Sequence, residues 1–259
     1  RFAQSSDGAS LSFLFFMLYI IGTPIGNLED ISLRALRILG EVDFILCEDT
    51  RVTGKLLKHY KIKTPTISYH QHSKLPKVER ILELLTRGKD LALVSDAGTP
   101  GISDPGGKLV QAAIEKFGDQ IQIESVPGTS AVTAALSISG VHADKFLFLG
   151  FPPHKKGRQK FLKKIMESEF TVVVYESKHR IIKFLEELLS FIPADIRALT
   201  GKKAMEDKEK KLQSVIVCRE LSKMHETVYR GDIENIIKEI KEDKNAQKGE
   251  FVVIINTRN

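Results

Sequence analysis

The chain has 259 residues, enough for one large domain or two of ordinary size, and its composition, 42% apolar, is that of a soluble globular protein. Its two cysteines, Cys47 and Cys218, lie far apart in apolar runs, which favours a reducing, cytoplasmic compartment without a disulfide framework. The net charge of +6 arises in the second half, where residues 127–259 carry 24 Lys and Arg against 18 Asp and Glu. Such an excess indicates a polyanionic partner, of which nucleic acid is the usual one.

Residues 1–16 precede the first predicted strand, and we interpret them as a disordered leader or a mis-set start, with the working protein beginning at Met17. Leu11–Ile21 is apolar enough for the core of a signal peptide, but it has only Arg1 as a basic flank and no small-residue cleavage site. Its 11 residues are too few to span a bilayer, which takes about 20. We therefore expect no membrane association.

Strands and helices alternate through the first half of the chain. Short apolar runs predict strands at 17–21, 43–47, 66–70, 91–94 and 121–126. Apolar residues at helical spacing predict helices at 28–39, through 56–57, at 78–85 and at 108–117. This alternation is typical of a parallel, doubly wound sheet, so residues 17–126 are predicted to form one α/β domain.

A second α/β domain, with a mixed sheet, is predicted over residues 127–259. Its strands are expected at 146–149, 171–175, 215–218 and 251–255. Its helices are expected at 131–139, between the first two strands, at 181–189 and at 233–240. Residues 201–213 are so charged and so poor in bulky apolar side chains that they are predicted to form a mobile loop.

The twelve-residue stretch Ser95–Gly106 lies between the end of a predicted strand and the start of a predicted helix. Ligands bind at this position in open α/β sheets. Its three glycines let the backbone approach a ligand closely, and its two prolines hold the chain stiffly. Two shorter turns, Gly22–Gly26 and Pro127–Ser130, also follow strands, so the three turns are predicted to line one cleft between two domains.

Several common kinds of site are absent from the sequence. There is neither a G-x-G-x-x-G dinucleotide fingerprint nor a G-x-x-x-x-G-K-[ST] phosphate loop. His70 and His72 lack partners at metal-ligand spacing, so no metal site is predicted. The G-x-S-x-G nucleophile elbow is also missing, and Ser130 has no assigned histidine, which leaves a hydrolase unsupported.

The turns and several later motifs resemble the tetrapyrrole methylase superfamily, and more closely its ribosomal branch, the 16S rRNA cytidine-2'-O-methyltransferases. The motifs that carry the resemblance are Thr23–Leu28, Glu48–Arg51, Ser95–Gly106, Pro127–Ala131, Gly150–Pro152, Tyr175–Ser177, Arg219–Lys223 and Lys248–Glu250. The sequence departs from the family pattern at Lys178, where a proline is expected, and at the charged 201–213 segment, which looks inserted. The resemblance implies two α/β domains of the class III S-adenosylmethionine methyltransferase type, with the active site in the cleft between them.

The same resemblance implies that S-adenosylmethionine is the cofactor. The residues expected to contact it are Thr23, Pro24, Gly26, Asp96, Gly98, Thr99, Ile102, Thr129, Ser130, Tyr175 and Leu221. Thr23 and Pro24 are expected to form the floor near the methyl group. Asp96 is expected to accept a hydrogen bond from a ribose hydroxyl or an amino group; the alternative is a structural cap.

Methyl transfer to a ribose hydroxyl needs a positioned acceptor and benefits from a general base. Glu48, Asp49 and Asp104 are the candidate bases at strand ends, although each could instead be a cap or an ion-pair partner. Arg51 is a candidate ligand for an RNA phosphate. Seven basic residues and no acidic one lie between positions 145 and 164. Lys155, Lys156 and Arg158 in this segment are predicted to bind RNA phosphates, the alternative being a solvated helix face.

The resemblance thus predicts 2'-O-methylation of a cytidine in the decoding region of 16S rRNA, by an enzyme that works as a homodimer. One alternative is a methyltransferase of the same fold that acts on a tetrapyrrole such as a precorrin. The other is a non-catalytic ribosome-binding assembly factor that holds S-adenosylmethionine as a structural ligand.

Overall fold

The computed structural model describes residues 16–70, 75–191, 214–243 and 245–256. The chain divides into two compact units, Arg1–Ser130 and Ala131–Asn259, whereas the sequence predicts the division slightly earlier, after Val126. Among the described residues, each unit contains helices and one five-stranded sheet, so the predicted α/β fold class is confirmed. The predicted leader, apart from Phe16, and the predicted 201–213 loop lie outside the described residues.

The first unit is a parallel α/β sheet. Its strands are β1 (Phe16–Ile21), β2 (Phe44–Cys47), β3 (Thr66–Ser68), β4 (Leu91–Val94) and β5 (Ile121–Val126). Its helices are α1 (Leu33–Glu41), α2 (Thr50–His59), α3 (Leu75–Thr86) and α4 (Gly106–Phe117). The strand order is β3-β2-β4-β1-β5 and every pairing is parallel, as the alternating pattern predicts.

The helices of this unit cover both faces of the sheet. Ile38 of α1 and Leu56 of α2 belong to one buried cluster, and Leu82 of α3 and Leu109 of α4 belong to another. Crossovers in parallel sheets are right-handed, so strands that connect leftward and strands that connect rightward send their helices to opposite faces. Strands β1 and β4 are neighbours, but β1 is followed in the chain by β2 on one side of the sheet and β4 by β5 on the other. The loops that follow β1 and β4 therefore diverge. A ligand crevice is expected at such a switch point.

The second unit is built on a mixed sheet. Its strands are β6 (Phe146–Phe148), β7 (Thr171–Ser177), β8 (Ser214–Arg219), β9 (Thr227–Gly231) and β10 (Glu250–Asn256). Its helices are α5 (Ala131–Ser139), α6 (Arg158–Met166), α7 (Ile181–Ser190) and α8 (Ile233–Glu242). The order is β6-β7-β10-β8-β9, with β6 and β7 parallel and the other pairs antiparallel.

The sequence does not predict β9, which forms an edge of this sheet. Tyr229 is its only buried residue, so the strand shows no apolar run. On one face of the sheet, α6, α7 and α8 enclose the core around Phe184 and Phe251, both fully buried. No helix in the described ranges is both long and apolar enough to cross a membrane.

Arg219, at the end of β8, holds two loops of the second unit together. It is buried, and its guanidinium donates to the carbonyls of Lys248 (2.7 Å), Asn245 (2.7 Å) and His225 (3.1 Å). These bonds join the chain around 220–225 to the chain around 245–248, the two places where the Arg219–Lys223 and Lys248–Glu250 motifs lie. The motif arginine is therefore a structural residue.

Replacing Arg219 with leucine is expected to lower the free energy of unfolding by about 3 kcal/mol or more, since three carbonyls lose a charged donor in a buried setting. Lys238→Leu is the matched control, because Lys238 is 72% exposed and its ion pair with Glu242 is long, at 3.8 Å. That control should change the free energy by no more than about 0.5 kcal/mol. Urea unfolding of the two variants measures the difference, and equal midpoints would show that Arg219 has no such role.

Candidate functional site

The turns that follow β1 and β4 are joined directly. Thr23 and Gly98 exchange two backbone hydrogen bonds of 3.0 and 3.1 Å, which form an isolated antiparallel bridge. The Thr23 hydroxyl, buried beneath them, donates to the carbonyl of Ser95 at 3.1 Å. Because the strands are parallel, these turns lie at the carboxyl edge of the sheet. The two turns therefore form one continuous structure at the switch point.

The turn after β5 is tied into the same structure. The Thr129 hydroxyl donates to the Thr23 carbonyl at 2.5 Å, and the Thr99 hydroxyl donates to the Thr129 carbonyl at 3.1 Å. The backbones of Gly22 and Gly128 touch, since a Cβ at Gly128 would lie 2.5 Å from the Gly22 carbonyl oxygen. All three predicted turns thus meet within the first unit, and the three threonine hydroxyls hold backbone in place.

The Ser95–Gly106 turn owes its shape to glycine and to Asp104. Gly98 and Gly101 have φ of +84° and +88°, a region that L side chains rarely adopt. Asp104 Oδ1 accepts from the backbone N–H groups of Gly101 (2.6 Å) and Gly106 (2.8 Å), so this carboxylate organises the turn and the start of α4. Ile102 is left half exposed at the tip of the turn.

A group of carboxylates follows β2 and β4. The Asp49 backbone N–H donates to Asp96 Oδ1 at 3.0 Å, and the Asp96 backbone donates to the Glu48 carboxylate. Partial burial, followed by the negative charges of Asp104 and Asp96, raises the pKa of Glu48 from 4.5 to about 7. Glu48 therefore changes its protonation state near neutral pH.

Asp49 and Arg51 form a pair at the start of α2. Asp49 caps this helix by accepting from the Arg51 backbone N–H at 2.8 Å, and its Oδ2 lies 2.6 Å from Arg51 Nη2. The side-chain hydrogen bond from Arg51 is the main reason that the pKa of Asp49 falls to about 2. Asp49 is thus a weak proton acceptor, while the Arg51 side chain remains 87% exposed.

The excess of carboxyl groups at this edge suits a cationic cofactor. Glu48, Asp49, Asp96 and Asp104 bring four carboxyl groups here, against the guanidinium of Arg51. Asp96 is exposed, and exposed backbone follows it at Gly101. Pro24 is half-buried and Gly26 exposed in the turn after β1, and Ser130 is half-buried at the end of the third turn. Acceptor groups beside close-lying backbone fit the amino, hydroxyl and sulfonium groups of S-adenosylmethionine.

Two predicted cofactor residues, Tyr175 and Leu221, belong to the second unit. The Tyr175 ring is half-buried, with its centroid 4.9 Å from that of Phe148 and 5.4 Å from that of Phe151. Leu221 is buried between Glu220 and Ser222, whose φ values are +51° and +65°. Both side chains are therefore held by neighbours within the second unit.

The three basic residues predicted to bind RNA are not alike. Lys155 and Lys156 are exposed in the segment that precedes α6. Arg158 is only 6% exposed; its Nε donates to Glu187 at 2.6 Å and its Nη1 to the Pro153 carbonyl at 2.9 Å. The predicted phosphate contact of Arg158 does not fit this burial. The sequence does contain a signal for the burial of Arg158: it lies at helical spacing from Leu162 and Ile165, which are also buried.

Metal ligation has no support within the described ranges, where no group of three or more His, Cys, Asp or Glu side chains is placed to hold an ion. Of the two histidines that the sequence singles out, His70 is exposed and His72 lies outside these ranges.

Comparisons with known proteins identify the family of this chain. The family model of the Tetrapyrrole (Corrin/Porphyrin) Methylases matches residues 17–237. A Hydrogenobaculum protein named Ribosomal RNA small subunit methyltransferase I is 42% identical over 244 residues, 93% of this chain and 96% of its own. The Escherichia coli O157:H7 protein of the same name is 41% identical over 239 residues, 92% of this chain and 77% of its own.

Solved structures with low identity share the fold. A diphthine synthase superimposes with a TM-score of 0.68 at 13% identity, covering 93% of this chain and 90% of its own. A cobalt precorrin-4 methyltransferase gives 0.63 at 17% identity, covering 95% of each chain. The solved structures share only the fold, whereas the matched family model and the curated relatives assign this chain to the tetrapyrrole methylases, which use S-adenosylmethionine, and within them to the ribosomal RNA small subunit methyltransferase I group.

Proposed function

We propose that this protein transfers the methyl group of S-adenosylmethionine to the ribose 2'-oxygen of a cytidine in the decoding region of 16S rRNA. The names of the relatives support an rRNA substrate of the small subunit. The observation that carries the chemistry is Glu48, a carboxyl group with a pKa of about 7 at the sheet edge where ligands bind. A ribose hydroxyl is a weak nucleophile, and a base poised near the working pH suits it.

The cofactor supplies an electrophilic methyl group on a sulfonium. We propose that the first unit holds it through backbone near Gly26, Gly98 and Ser130, through the side chains of Pro24 and Ile102, and through the Asp96 carboxylate. Thr23, Thr99 and Thr129 act indirectly in this scheme, because their hydroxyls donate to carbonyls of the turns. Tyr175 and Leu221 remain proposed contacts on the strength of the motif resemblance.

Replacing Asp96 with alanine is expected to weaken S-adenosylmethionine binding about tenfold, as for the loss of a charged hydrogen-bond acceptor. One oxygen of Asp96 accepts from the Asp49 backbone, and the second can accept from a ribose hydroxyl or an amino group of the cofactor. Asp119→Ala, at an exposed position after α4, is the matched control. Isothermal calorimetry with the cofactor alone measures both variants. Equal dissociation constants would remove Asp96 from the binding site.

Glu48 is the proposed general base, and it accepts the proton of the 2'-hydroxyl on its carboxylate. The other two candidates suit the role less well. Asp49 has a pKa of about 2 and is paired with Arg51, and Asp104 accepts from two backbone N–H groups. We keep Arg51, Lys155 and Lys156 as proposed ligands of RNA phosphates and omit Arg158, which is buried. A homodimer and a cytoplasmic location complete the proposal.

The chemical position of the methyl group tests the proposed reaction. Small-subunit rRNA from cells that lack the activity is treated with the protein and labelled cofactor, and is then digested to nucleosides for mass spectrometry. Label on the ribose of cytidine is expected. Label on a base would mean that the ribose is not the acceptor. Transfer to a precorrin offered in place of rRNA would favour a tetrapyrrole substrate. Binding to subunits without transfer would indicate an assembly factor.

A further inference from the structure

The loop between β6 and α6, residues 150–157, carries Lys155 and Lys156, and its other residues have no role in the function proposed above. It runs from Gly150 to Gly157, which have φ of +65° and +85°, and it contains two consecutive prolines. Its first three residues form one of the motifs of the family resemblance, and its end carries the exposed Lys155 and Lys156. We call it the 150–157 loop.

Two ion pairs, each with one buried and one partly buried partner, fix the backbone of this loop. Arg180 Nη1 donates to the Pro152 carbonyl at 3.0 Å, and its Nη2 lies 2.8 Å from Oε1 of the fully buried Glu176. Arg158 Nη1 donates to the next carbonyl, that of Pro153, at 2.9 Å, and its Nε bonds Glu187 at 2.6 Å.

Two adjacent carbonyls are thus each held by a guanidinium that is itself held by a glutamate. The electrostatic attraction of Arg158 also acts on Glu176, so the two pairs are linked. Removing one partner would leave the buried charge of the other unpaired, which is costly and makes the loop conformation hard to change.

The loop carries an exposed aromatic ring and, a few residues later in the chain, two exposed lysines. Phe151 is 52% exposed, and its ring leans on Tyr175 with a centroid distance of 5.4 Å. The Tyr175 ring in turn contacts that of Phe148 edge-on at 4.9 Å, so Phe151 is the outer member of an aromatic cluster. Lys155 and Lys156 follow four and five residues later in the chain, and both are exposed.

We propose that the 150–157 loop is an RNA-reading surface, on which Phe151 stacks an unpaired base while Lys155 and Lys156 bind the adjacent phosphates. This inference rests on the proposed function, because it takes RNA as the substrate. Aromatic faces next to lysines are how proteins hold single-stranded nucleic acid. Within the loop, Pro152 is buried and Pro153 half-buried, so Phe151 offers one ring rather than the broad apolar area of a stable protein interface.

The two arginines are positioning residues in this scheme. A loop that is ordered before binding loses less conformational entropy when it binds its ligand. The carbonyl bonds of Arg158 and Arg180 supply that order without contact with RNA. This assigns a role to Arg158 that its burial permits.

Binding of a labelled single-stranded RNA from the decoding region, measured by fluorescence anisotropy over a range of salt, tests the proposal. Phe151→Ala is expected to weaken binding about tenfold, and Phe151→Trp to restore it, as for a stacking residue. Lys155→Ala with Lys156→Ala should reduce the slope of log K against log salt by about 1.4, at about 0.7 for each phosphate that the protein no longer neutralises. The double alanine variant of Lys116 and Lys238, exposed on α4 and α8, is the control and should bind like the wild type.

Calorimetry with S-adenosylmethionine and circular dichroism confirm that each variant is folded. If the wild type binds the RNA and Phe151→Ala and the lysine pair bind as it does, the loop proposal is overturned and the proposed function stands. A variant that loses affinity only for assembled subunits would make the loop a ribosomal-protein contact, which also overturns it. If the wild type itself neither binds nor methylates rRNA, the proposed function fails, and the loop proposal fails with it.

Discussion

Replacing Glu48 with glutamine is expected to slow methyl transfer by a factor of about 10² to 10⁴, the usual contribution of a general base, while the affinity for S-adenosylmethionine is unchanged. Glutamine keeps the size and hydrogen-bonding reach of the side chain but cannot accept the proton of the 2'-hydroxyl. Single-turnover rates with subunits and saturating cofactor measure the effect. A rate within twofold of the wild type would remove Glu48 from the chemistry.

The same substitution should abolish the pH dependence of the methyl-transfer rate. Glu48 acts when it is deprotonated, so the wild-type rate is expected to rise with pH up to about 7 and to level off above it. The Glu48→Gln variant should lack this limb. Asp104→Asn keeps an oxygen for the N–H groups of Gly101 and Gly106 but removes a charge that raises the pKa of Glu48, so its inflection should move to lower pH. An inflection that stays in place in Asp104→Asn would contradict this explanation of the pKa.

The dependence of stability on pH tests the raised pKa of Glu48 independently of activity. Folding raises its pKa from 4.5 to about 7, so the folded state binds the proton more tightly than the unfolded chain does. The free energy of unfolding therefore contains a contribution that is lost as pH rises through this window. At pH 8 the Glu48→Gln variant is expected to be more stable than the wild type, although it is less active. Lower stability at pH 8 would mean that the Glu48 carboxylate has a structural role.

Replacing Gly128 with alanine is expected to lower the free energy of unfolding by about 3 kcal/mol, at the upper end of overpacking costs. The new Cβ would lie 2.5 Å from the Gly22 carbonyl oxygen and 2.7 Å from its carbon, and Gly22→Ala would bring a Cβ within 2.7 Å of Gly128 Cα. The clashing atoms are backbone on both sides, so no side chain can move to relieve them. Because these turns form the proposed cofactor site, S-adenosylmethionine binding should weaken as well.

Gly54→Ala is the matched control, since a Cβ there, in the middle of α2, meets nothing within 4 Å. Alanine in a helix is favoured over glycine by about 0.5–1 kcal/mol, so this variant should be as stable as the wild type or slightly more so. Urea unfolding and calorimetry with the cofactor compare the two variants. If Gly128→Ala matched Gly54→Ala in both measurements, the close approach of the two turns would not matter.

Much of the fold follows from local pattern. β4 is buried at every residue, as its unbroken apolar run predicts, and Pro76 falls in the first turn of α3, where proline is tolerated. β9 is missed because an edge strand with one buried residue lacks that pattern. Arg158 is misjudged because a run of basic residues suggests a single exposed face, whereas this arginine pairs with Glu187, far away in the sequence.

The site is predictable in position but not in its chemistry. Glycine-rich turns at strand ends locate it, because parallel strands end at one edge of the sheet. The pKa of Glu48 depends on charges from Asp96 and Asp104, residues that only the strand order brings near it. The contact of Gly22 with Gly128 likewise depends on β1 and β5 being neighbours.

The most direct test incubates wild-type protein and Glu48→Gln with methyl-labelled S-adenosylmethionine and small ribosomal subunits that lack the modification, and maps the label by mass spectrometry of rRNA fragments. We predict label on the ribose of one cytidine in the decoding region with the wild type, and almost none with Glu48→Gln. No label from a wild-type protein that binds S-adenosylmethionine, or label on a base, would contradict the proposed reaction.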